Sequence, residues 1–355
     1  MPKKVLIAPN AFKGTFSALK VCNAISKAIH PTFEFKALPL SDGGDGFVDV
    51  IHYLIPELPV LAAEVTGPVV GQRKVHARWI WDEGNRIAYI ESAQACGLSI
   101  LEGPLNPMEA TSYGLGEVIA AAIAKGAEDI YVGLGGTACT DGGVGAMQAL
   151  GWQFLDQFNK PIGPGGGRLI GIHRILPGPK LTVNLNLMTD VNNQLLGDNG
   201  TAPVFGPQKG ASPAQVLELE KGLSNLWLHV YKIFQLNIDF PGAGAGGGIP
   251  AAMALIGSAS VGSGFELVAD LGDLEELIAW ADIVVTGEGR FDAQSMMGKA
   301  PGQVVNLARA QGKRVALFAG SIEQKVGDVN IELNEFGGDL DQAALALTNQ
   351  LLIVP

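Results

Sequence analysis

The densest group of chemically competent side chains lies between Glu288 and Lys299. Arg290 and Lys299 are cations that can hold anionic oxygens, and the carboxylates Glu288 and Asp292 suit a metal ion or a hydroxyl group. Gln294 adds a neutral hydrogen-bonding amide, and flanking glycines would let a ligand approach the backbone. The alternative is a structural glycine loop in which Glu288 and Arg290 form an ion pair. So many polar groups in so short a stretch favour a ligand site.

Similar groups, each an acid or a base set among glycines, recur where apolar segments end. An isolated Asp-Gly is usually a turn, and an isolated lysine is usually a solvated surface residue, so no single one is specific. Together they predict one charged site, because ligands of open α/β sheets bind beyond the carboxyl ends of the strands. The residues concerned are Lys13, Asp42, Asp45, Asp141, Asp190, Lys209 and the group from Glu288 to Lys299.

The elements that must position these groups alternate between short apolar strands and amphipathic helices. Residues 5–8 and 33–40 are predicted strands, and Ser17 is placed to cap the helix between them. Strand, polar glycine loop and helix occur twice before residue 56, which is typical of a doubly wound α/β domain. Residues 283–285 are β-branched and predict a buried parallel strand directly before Glu288.

The pattern changes from about Glu64 onward. Residues 75–79 and 87–90 predict two strands joined by a turn at 82–85, which indicates an antiparallel meander and therefore a change of domain. The strand predicted at 130–134 could belong to the sheet of either domain.

Composition limits the class of protein. The chain has 355 residues, 47% of them hydrophobic and 17% charged, which suits a globular protein of about two domains. The net charge of -11 argues against a nucleic-acid partner. No uninterrupted apolar run is long enough for a bilayer, and the three cysteines have no metal or redox spacing. We therefore expect a cytoplasmic protein without a membrane partner; its oligomeric state stays open.

Several familiar signatures are absent. The phosphate-binding sequence Gly-x-x-x-x-Gly-Lys-Ser/Thr fails because Lys299 is followed by Ala300, and no protein-kinase set or Gly-x-Ser-x-Gly elbow occurs. The five histidines show no metal-ligand spacing. Hydrolase and zinc-enzyme classes therefore lose support.

The run PGAGAGGG at 241–248 precedes a predicted helix. A dinucleotide fingerprint should follow a strand, whereas this run follows a long predicted helix and a loop. Two alternatives remain, a phosphate-binding helix N-terminus and a run of glycines required by packing.

Six segments, in order between about Lys4 and Gly320, resemble the glycerate kinase type-1 family. They are Ile7–Thr15, Leu38–Gly46, Gly133–Gly143, Phe205–Ala211, Pro241–Gly248 and Thr286–Lys299. The resemblance implies ATP-dependent phosphorylation of D-glycerate and a Rossmann-like domain interrupted by a second α/β domain. One departure is Asn10, which stands where members of this family usually carry Asp.

On this resemblance we predict an α/β protein with a Rossmann-like parallel-sheet domain interrupted by a second, mixed α/β domain. The first would comprise residues 1–62 and 240–355, and the second residues 63–239. The active site would lie in the cleft between them.

Phosphoryl transfer requires positioned groups and neutralised charge more than covalent chemistry by the protein. We expect ATP and Mg²⁺ as co-substrate and metal, with Arg290 binding the glycerate carboxylate and Asp42 or Asp45 accepting the hydroxyl proton. Asp292 is an alternate metal ligand. The predicted residues are Asp42, Asp45, Asp190 and Lys209 for catalysis; Lys13, Arg290, Asp292 and Gln294 for substrate; Lys299, Gly135, Gly136, Thr137, Gly246 and Gly247 for nucleotide or phosphate; and Asp190 and Glu288 for the metal.

The alternatives are a kinase for another small hydroxy acid, an NAD-dependent dehydrogenase that uses the 241–248 run, and a non-catalytic nucleotide-binding regulator. We expect 2-phosphoglycerate as the product, and 3-phosphoglycerate is not excluded.

Overall fold

The computed structural model describes residues 2–296 and 298–353. Met297, inside the segment Thr286–Lys299, lies outside the described residues. The chain divides into two compact units, Met1–Pro56 with Ser263–Pro355, and Glu57–Gly262. No helix among the described residues is long and apolar enough to cross a membrane.

The secondary structure is mixed. The strands are β1 (Lys3–Ile7), β2 (Phe33–Ala37), β3 (Val60–Thr66), β4 (Lys74–Asp82), β5 (Ile87–Glu91), β6 (Asp129–Gly133), β7 (Gln153–Leu155), β8 (Arg174–Leu176), β9 (Asn184–Met188), β10 (Ala259–Gly262), β11 (Ile283–Thr286), β12 (Arg290–Phe291), β13 (Arg314–Ala319), β14 (Ser321–Ile322) and β15 (Val329–Glu332). The helices are α1 (Ala18–Ala28), α2 (Phe47–Leu54), α3 (Ala93–Cys96), α4 (Tyr113–Lys125), α5 (Val144–Ala149), α6 (Thr201–Phe205), α7 (Pro213–Phe234), α8 (Ala245–Met253), α9 (Gly264–Leu271), α10 (Leu274–Trp280), α11 (Ala293–Met296), α12 (Ala300–Ala310) and α13 (Leu340–Ile353), with 3₁₀ turns at Gly166–Gly171, Pro207–Lys209, Ala254–Ile256 and Leu333–Phe336.

The first unit contains a five-stranded sheet in the order β15-β13-β11-β1-β2, and every neighbouring pair is parallel. The predicted strand at 283–285 is confirmed as part of β11, all four residues of which are buried. Helices α1 and α13 contribute to the apolar core with the sheet. Because all five strands run the same way, the loops after them leave from one edge of the sheet.

The loops after β1 and β11 are held together beyond that edge. The Thr286 hydroxyl donates to the carbonyl of Ala8 at 2.8 Å, and the Asn10 N–H donates to the carbonyl of Gly287 at 2.9 Å. A Cβ atom at Gly287 would lie 1.7 Å from the carbonyl oxygen of Phe318, so only glycine fits between β11 and β13 there. This close approach of the backbones at Gly287 and Phe318 fixes the position from which the charged residues after β11 extend.

The second unit contains a six-stranded mixed sheet in the order β10-β9-β6-β5-β4-β3. Strands β5, β6, β9 and β10 are parallel, whereas β4 is antiparallel to both β3 and β5. The predicted antiparallel pair is confirmed as β4 and β5. The strand that could have belonged to either sheet is β6, in the middle of this one. Both units thus confirm the α/β class.

The boundaries of the two compact units differ from those of the predicted domains. Strand β3 pairs with β4 from Val60 onward, and β10 extends the same sheet through Ala259 and its partner Leu185. These ladders hold residues 60–62 and 259–262 in the sheet of the second unit, which spans Glu57–Gly262. The predicted boundaries at 62/63 and 239/240 therefore fall inside that unit.

Candidate active site

A cavity of about 480 Å³ lies at the carboxyl edge of the first unit's sheet. Its wall carries three cations, Lys13, Arg290 and Lys299, and two carboxylates, Glu288 and Asp292. Lys13 follows β1 and the other four follow β11, so residues far apart in sequence line one space. An acid with several anionic oxygens matches this charge pattern.

Lys13 forms an ion pair with Asp42, which follows β2. The Lys13 Nζ lies 3.1 Å from Asp42 Oδ2, and the Gly44 N–H donates to Asp42 Oδ1 at 3.1 Å. Burial by itself would raise the pKa of Asp42, but the Lys13 charge and these hydrogen bonds outweigh it and lower the pKa. The Asp42 charge in turn raises the pKa of Lys13. Asp42 is therefore a stabilised anion and a weak proton acceptor.

Asp45 is in a different electrostatic position. Asp45 is exposed, but partial desolvation of its carboxyl group raises its pKa; the Lys13 charge opposes this, and the like charge of Asp42 adds to the rise. Of the two carboxylates predicted to accept the substrate proton, Asp45 thus binds a proton more readily.

Replacing Lys13 with methionine should make the pH dependence of stability flatter. The folded-state pKa of Asp42 lies below its ordinary value of 3.8, so the ion pair stabilises the protein above that pH and is lost as the pH falls through the folded-state pKa. Because Lys13 is mostly exposed, we expect a loss below about 1 kcal/mol at neutral pH. Urea unfolding of wild type, Lys13→Met and the exposed control Lys27→Met would measure it. A wild-type advantage over Lys13→Met that persists unchanged at pH 3 would contradict this explanation.

Glu288 is the most deeply buried carboxylate in this cavity wall, with 7% of its surface exposed. Its Oε1 atom accepts no hydrogen bond from the described residues. Burial raises the pKa of Glu288, and the Ser295 hydroxyl and the charges of Lys299 and Lys13 only partly oppose it. Leaving a buried carboxylate oxygen without a hydrogen-bond partner costs free energy. Such an atom in a cavity wall is typical of a position where a ligand binds.

Asp292 caps the short helix α11. Its Oδ1 accepts the backbone N–H groups of Gln294 at 2.9 Å and Ser295 at 3.2 Å, while the Gln294 side chain is exposed. Sequence reasoning missed Ser295, which is fully buried and accepts the Asp292 N–H at 3.0 Å. The reciprocal Asp-x-x-Ser spacing was the available signal. A role of Asp292 or Gln294 in substrate binding stays a prediction.

Arg290 is held from one side by Glu323, a residue that sequence reasoning also missed. Arg290 Nε and Nη2 both donate to Glu323 Oε1, at 2.9 and 2.6 Å. Strands β12 and β14 pair in parallel, and the Glu323 N–H donates to the carbonyl of Phe291, which sets the two side chains next to each other. The edge of the Arg290 guanidinium formed by Nε and Nη2 is thus hydrogen-bonded to Glu323, and Arg290 also lines the cavity.

In the second unit, Lys209 and Thr137 come together at the carboxyl end of β6. Lys209 is 3% exposed, and its Nζ donates to Thr137 Oγ1 at 3.1 Å and to the Cys139 carbonyl at 2.5 Å. Burial lowers the pKa of Lys209, although the neighbouring thiols and Asp141 oppose this. A buried ammonium has three donors, and these two contacts fix its position.

Asp141 anchors the same loop. It is 1% exposed, and its Oδ2 accepts Thr111 Oγ1 at 3.1 Å, the Ser112 N–H at 2.8 Å, the Ser112 hydroxyl at 2.9 Å and the Gly145 N–H at 3.2 Å. Its Oδ1 accepts the Gly143 N–H at 3.2 Å. A carboxylate with so many protein donors organises the loop, so Asp141 has a structural role although the sequence places it among the residues of the charged site.

The glycine run at 241–248 packs against this loop. Gly246, Gly247 and Gly248 all have positive φ, and a Cβ atom at Gly247 would lie 2.0 Å from the Cys139 carbonyl oxygen and 3.0 Å from Lys209 Nζ. The Gly247 carbonyl also accepts the Gly142 N–H at 3.0 Å. Packing therefore accounts for the run, and phosphate binding by Gly246 and Gly247 stays a prediction.

Asp190, Gly135 and Gly136 lie just beyond adjacent strand ends. Gly133 at the end of β6 is paired with Met188 at the end of β9, so the predicted phosphate and metal residues follow neighbouring strands. Asp190 is half-buried, and Gly136 has a φ of 71°. Within the second unit, the parallel ladder thus brings these residues to one edge, next to Thr137.

The chain matches the glycerate kinase family over residues 5–338. It belongs to the glycerate kinase family. The chain is 40% identical to the glycerate 2-kinase of Escherichia coli (strain K12) over 337 residues, which is 92% of this chain and 87% of that protein. It is 39% identical to the glycerate kinase of Haemophilus influenzae over 334 residues, 90% of this chain and 86% of the relative.

A crystal structure of a candidate glycerate kinase 2 from Salmonella typhimurium LT2 has the same fold. The TM-score is 0.80 at 33% identity, and the match covers 98% of this chain and 97% of that one. Membership of the glycerate kinase family makes the chain a kinase, with ATP as the implied co-substrate. The dehydrogenase alternative is therefore set aside.

Proposed function

We propose that this glycerate kinase family member transfers the terminal phosphoryl group of ATP to the 2-hydroxyl of D-glycerate and releases 2-phosphoglycerate. The observation that carries the proposal is the cavity of the first unit, where Lys13, Arg290 and Lys299 surround a space suited to a small acid. The similarity to a relative named glycerate 2-kinase supports the choice of hydroxyl.

Arg290 would bind the glycerate carboxylate. Its planar guanidinium offers two parallel donors, and Glu323 already holds the edge formed by Nε and Nη2. A guanidinium fixed in this way needs little further ordering when a carboxylate binds to its remaining edge.

The proton of the attacking hydroxyl would go to Asp45 in preference to Asp42. Asp42 is already neutralised by Lys13, whereas the pKa of Asp45 is raised by partial desolvation and by the charge of Asp42. A base works best when its pKa approaches the working pH. Lys13 and Lys299 would neutralise charge on the phosphoryl group.

The nucleotide phosphates would lie against Gly135, Gly136 and Thr137, with Lys209 beneath them. Glycines allow close approach of backbone N–H groups to phosphate oxygens. Lys209 is held in place by Thr137 and Cys139, so its charge is positioned before a ligand arrives. Gly246 and Gly247 would complete this wall.

We propose Mg²⁺ as the metal that accompanies ATP. No group of three or more His, Cys, Asp or Glu residues in the described part of the chain could hold a metal by itself. Mg²⁺ usually binds through one or two carboxylates and the substrate phosphates, and the unpartnered buried Oε1 of Glu288 fits such a role. We propose Glu288 as a ligand, and metal binding by Asp190 stays a prediction. Once bound, the metal would neutralise charge on the phosphates.

An ATP assay on D-glycerate, coupled through enolase, would test the proposed function. Signal without added phosphoglycerate mutase is expected, because enolase accepts 2-phosphoglycerate directly. Signal only with the mutase would identify the 3-isomer, and no consumption of ATP would overturn the proposal. Parallel reactions with other small hydroxy acids would reveal a different preferred acceptor.

A further inference from the structure

The second unit has a cavity of about 370 Å³ with a different chemical character from the charged cavity of the first unit. Three aromatic side chains, Tyr113, Trp152 and Phe154, form much of its wall. Two amide side chains, Gln148 and Gln153, supply donors and acceptors. An apolar, aromatic cavity with a few polar groups is typical of a small-ligand site.

This cavity lies beyond the carboxyl edge of the second sheet. Strands β3 and β5 are both antiparallel to β4, so they run in the same direction. Trp79 of β4 pairs with Leu61 on one side and with Ile90 on the other, which places Leu61 level with the end of β5. Thr66, a residue of the cavity wall at the end of β3, therefore extends past that edge, where ligands of such sheets bind.

The cavity wall is connected to the loop that we assign to the phosphates. The Tyr113 N–H donates to Thr111 Oγ1 at 3.2 Å, and Thr111 Oγ1 donates to Asp141 Oδ2 at 3.1 Å. Asp141 belongs to the same loop as Thr137, which holds Lys209. Two consecutive hydrogen bonds thus link the backbone of Tyr113, in the cavity wall, to Asp141 of the phosphate loop.

We propose that this cavity binds the adenine base of ATP. The inference rests on the proposed kinase function and names the part of the second unit that would recognise the nucleotide. A flat heteroaromatic ring packs well on the aromatic side chains Tyr113 and Trp152, and its polar edge matches amide groups. Gln148 Nε2 already donates to the Ile162 carbonyl at 3.3 Å, which orients that amide toward a fixed partner.

Tryptophan fluorescence would test the proposal directly, with adenosine as the probe because it lacks phosphates. We expect ATP and adenosine to quench emission in the wild type and in the control Trp227→Phe, whose ring stacks on Tyr231 in α7. In Trp152→Phe the quenching should be lost. Quenching that persists in Trp152→Phe would overturn the assignment.

A second variant avoids dependence on the tryptophan signal. Tyr113→Ala should raise the dissociation constant for ATP roughly tenfold by calorimetry, in line with the loss of one base–aromatic contact. The KM for D-glycerate should stay within about twofold, as it should for the control Tyr231→Ala.

Three results would overturn the inference in distinguishable ways. Adenosine that does not bind, while the wild type still turns over ATP and D-glycerate, would remove the adenine site and leave the kinase function intact. Adenosine that binds without competing with ATP would mark a separate ligand site. No ATP binding and no turnover would overturn the proposed function together with this site.

Discussion

Replacing Asp141 with asparagine is expected to lower the free energy of unfolding by about 3 kcal/mol, because hydrogen bonds to a buried charged group are worth about 1.5–3 kcal/mol each and their loss leaves buried donors unpaired. The carboxylate accepts donors from Thr111, Ser112, Gly143 and Gly145. An amide replaces one acceptor oxygen with an NH₂ group, which would face a donor already in place. The loop from Gly133 to Gly143 should loosen as a result.

Urea unfolding followed by circular dichroism would measure this effect. Asp156→Asn is a matched control, since Asp156 accepts two backbone N–H groups in an exposed turn and its replacement should cost less than about 1 kcal/mol. Equal losses in the two variants would contradict the view that Asp141 is the anchor of the loop.

Replacing Lys209 with methionine is expected to lower kcat by about 10²–10³, the usual loss when one preorganised donor to developing charge is removed. The side chain is 3% exposed and is held by Thr137 and Cys139, so its ammonium is already in position when ATP binds. The free energy of unfolding should change little, in contrast to the large loss in kcat. Removing a buried charge is favourable, and this offsets the unpaired carbonyl of Cys139.

Steady-state kinetics with ATP and D-glycerate, combined with urea unfolding, would separate the two effects. Lys221→Met, at an exposed position on α7, serves as the control and should keep wild-type kcat. A Lys209→Met enzyme with kcat within about threefold of the wild type would show that this lysine only supports the loop.

Two residues show why a sequence reveals some parts of such a site and hides others. Arg290 is visible in the sequence because its glycine-rich context after an apolar strand is local. Glu323 is not, because its importance comes from the pairing of β12 with β14, which brings it to Arg290 from 33 positions away. No local pattern around residue 323 carries that information.

Asp141 illustrates the opposite case. Its setting among glycines resembles that of Asp42, and the sequence predicts that both residues contribute to one charged site. The difference arises from the two residues directly before α4, because Thr111 and Ser112 donate to the Asp141 carboxylate. Asp42 instead has Lys13 as its partner.

The sequence by itself determined the alternation of strands and helices, the cap at Ser17, and the charged residues that follow strand ends. These features depend on side-chain period and turn chemistry, which act over a few neighbouring residues. Only the tertiary structure decided the limits of the two units, the partners of each charged group, and the burial of Glu288 and Lys209. Those properties come from strand pairing and packing between distant segments, so they are set by which segments meet and not by the residues within any one of them.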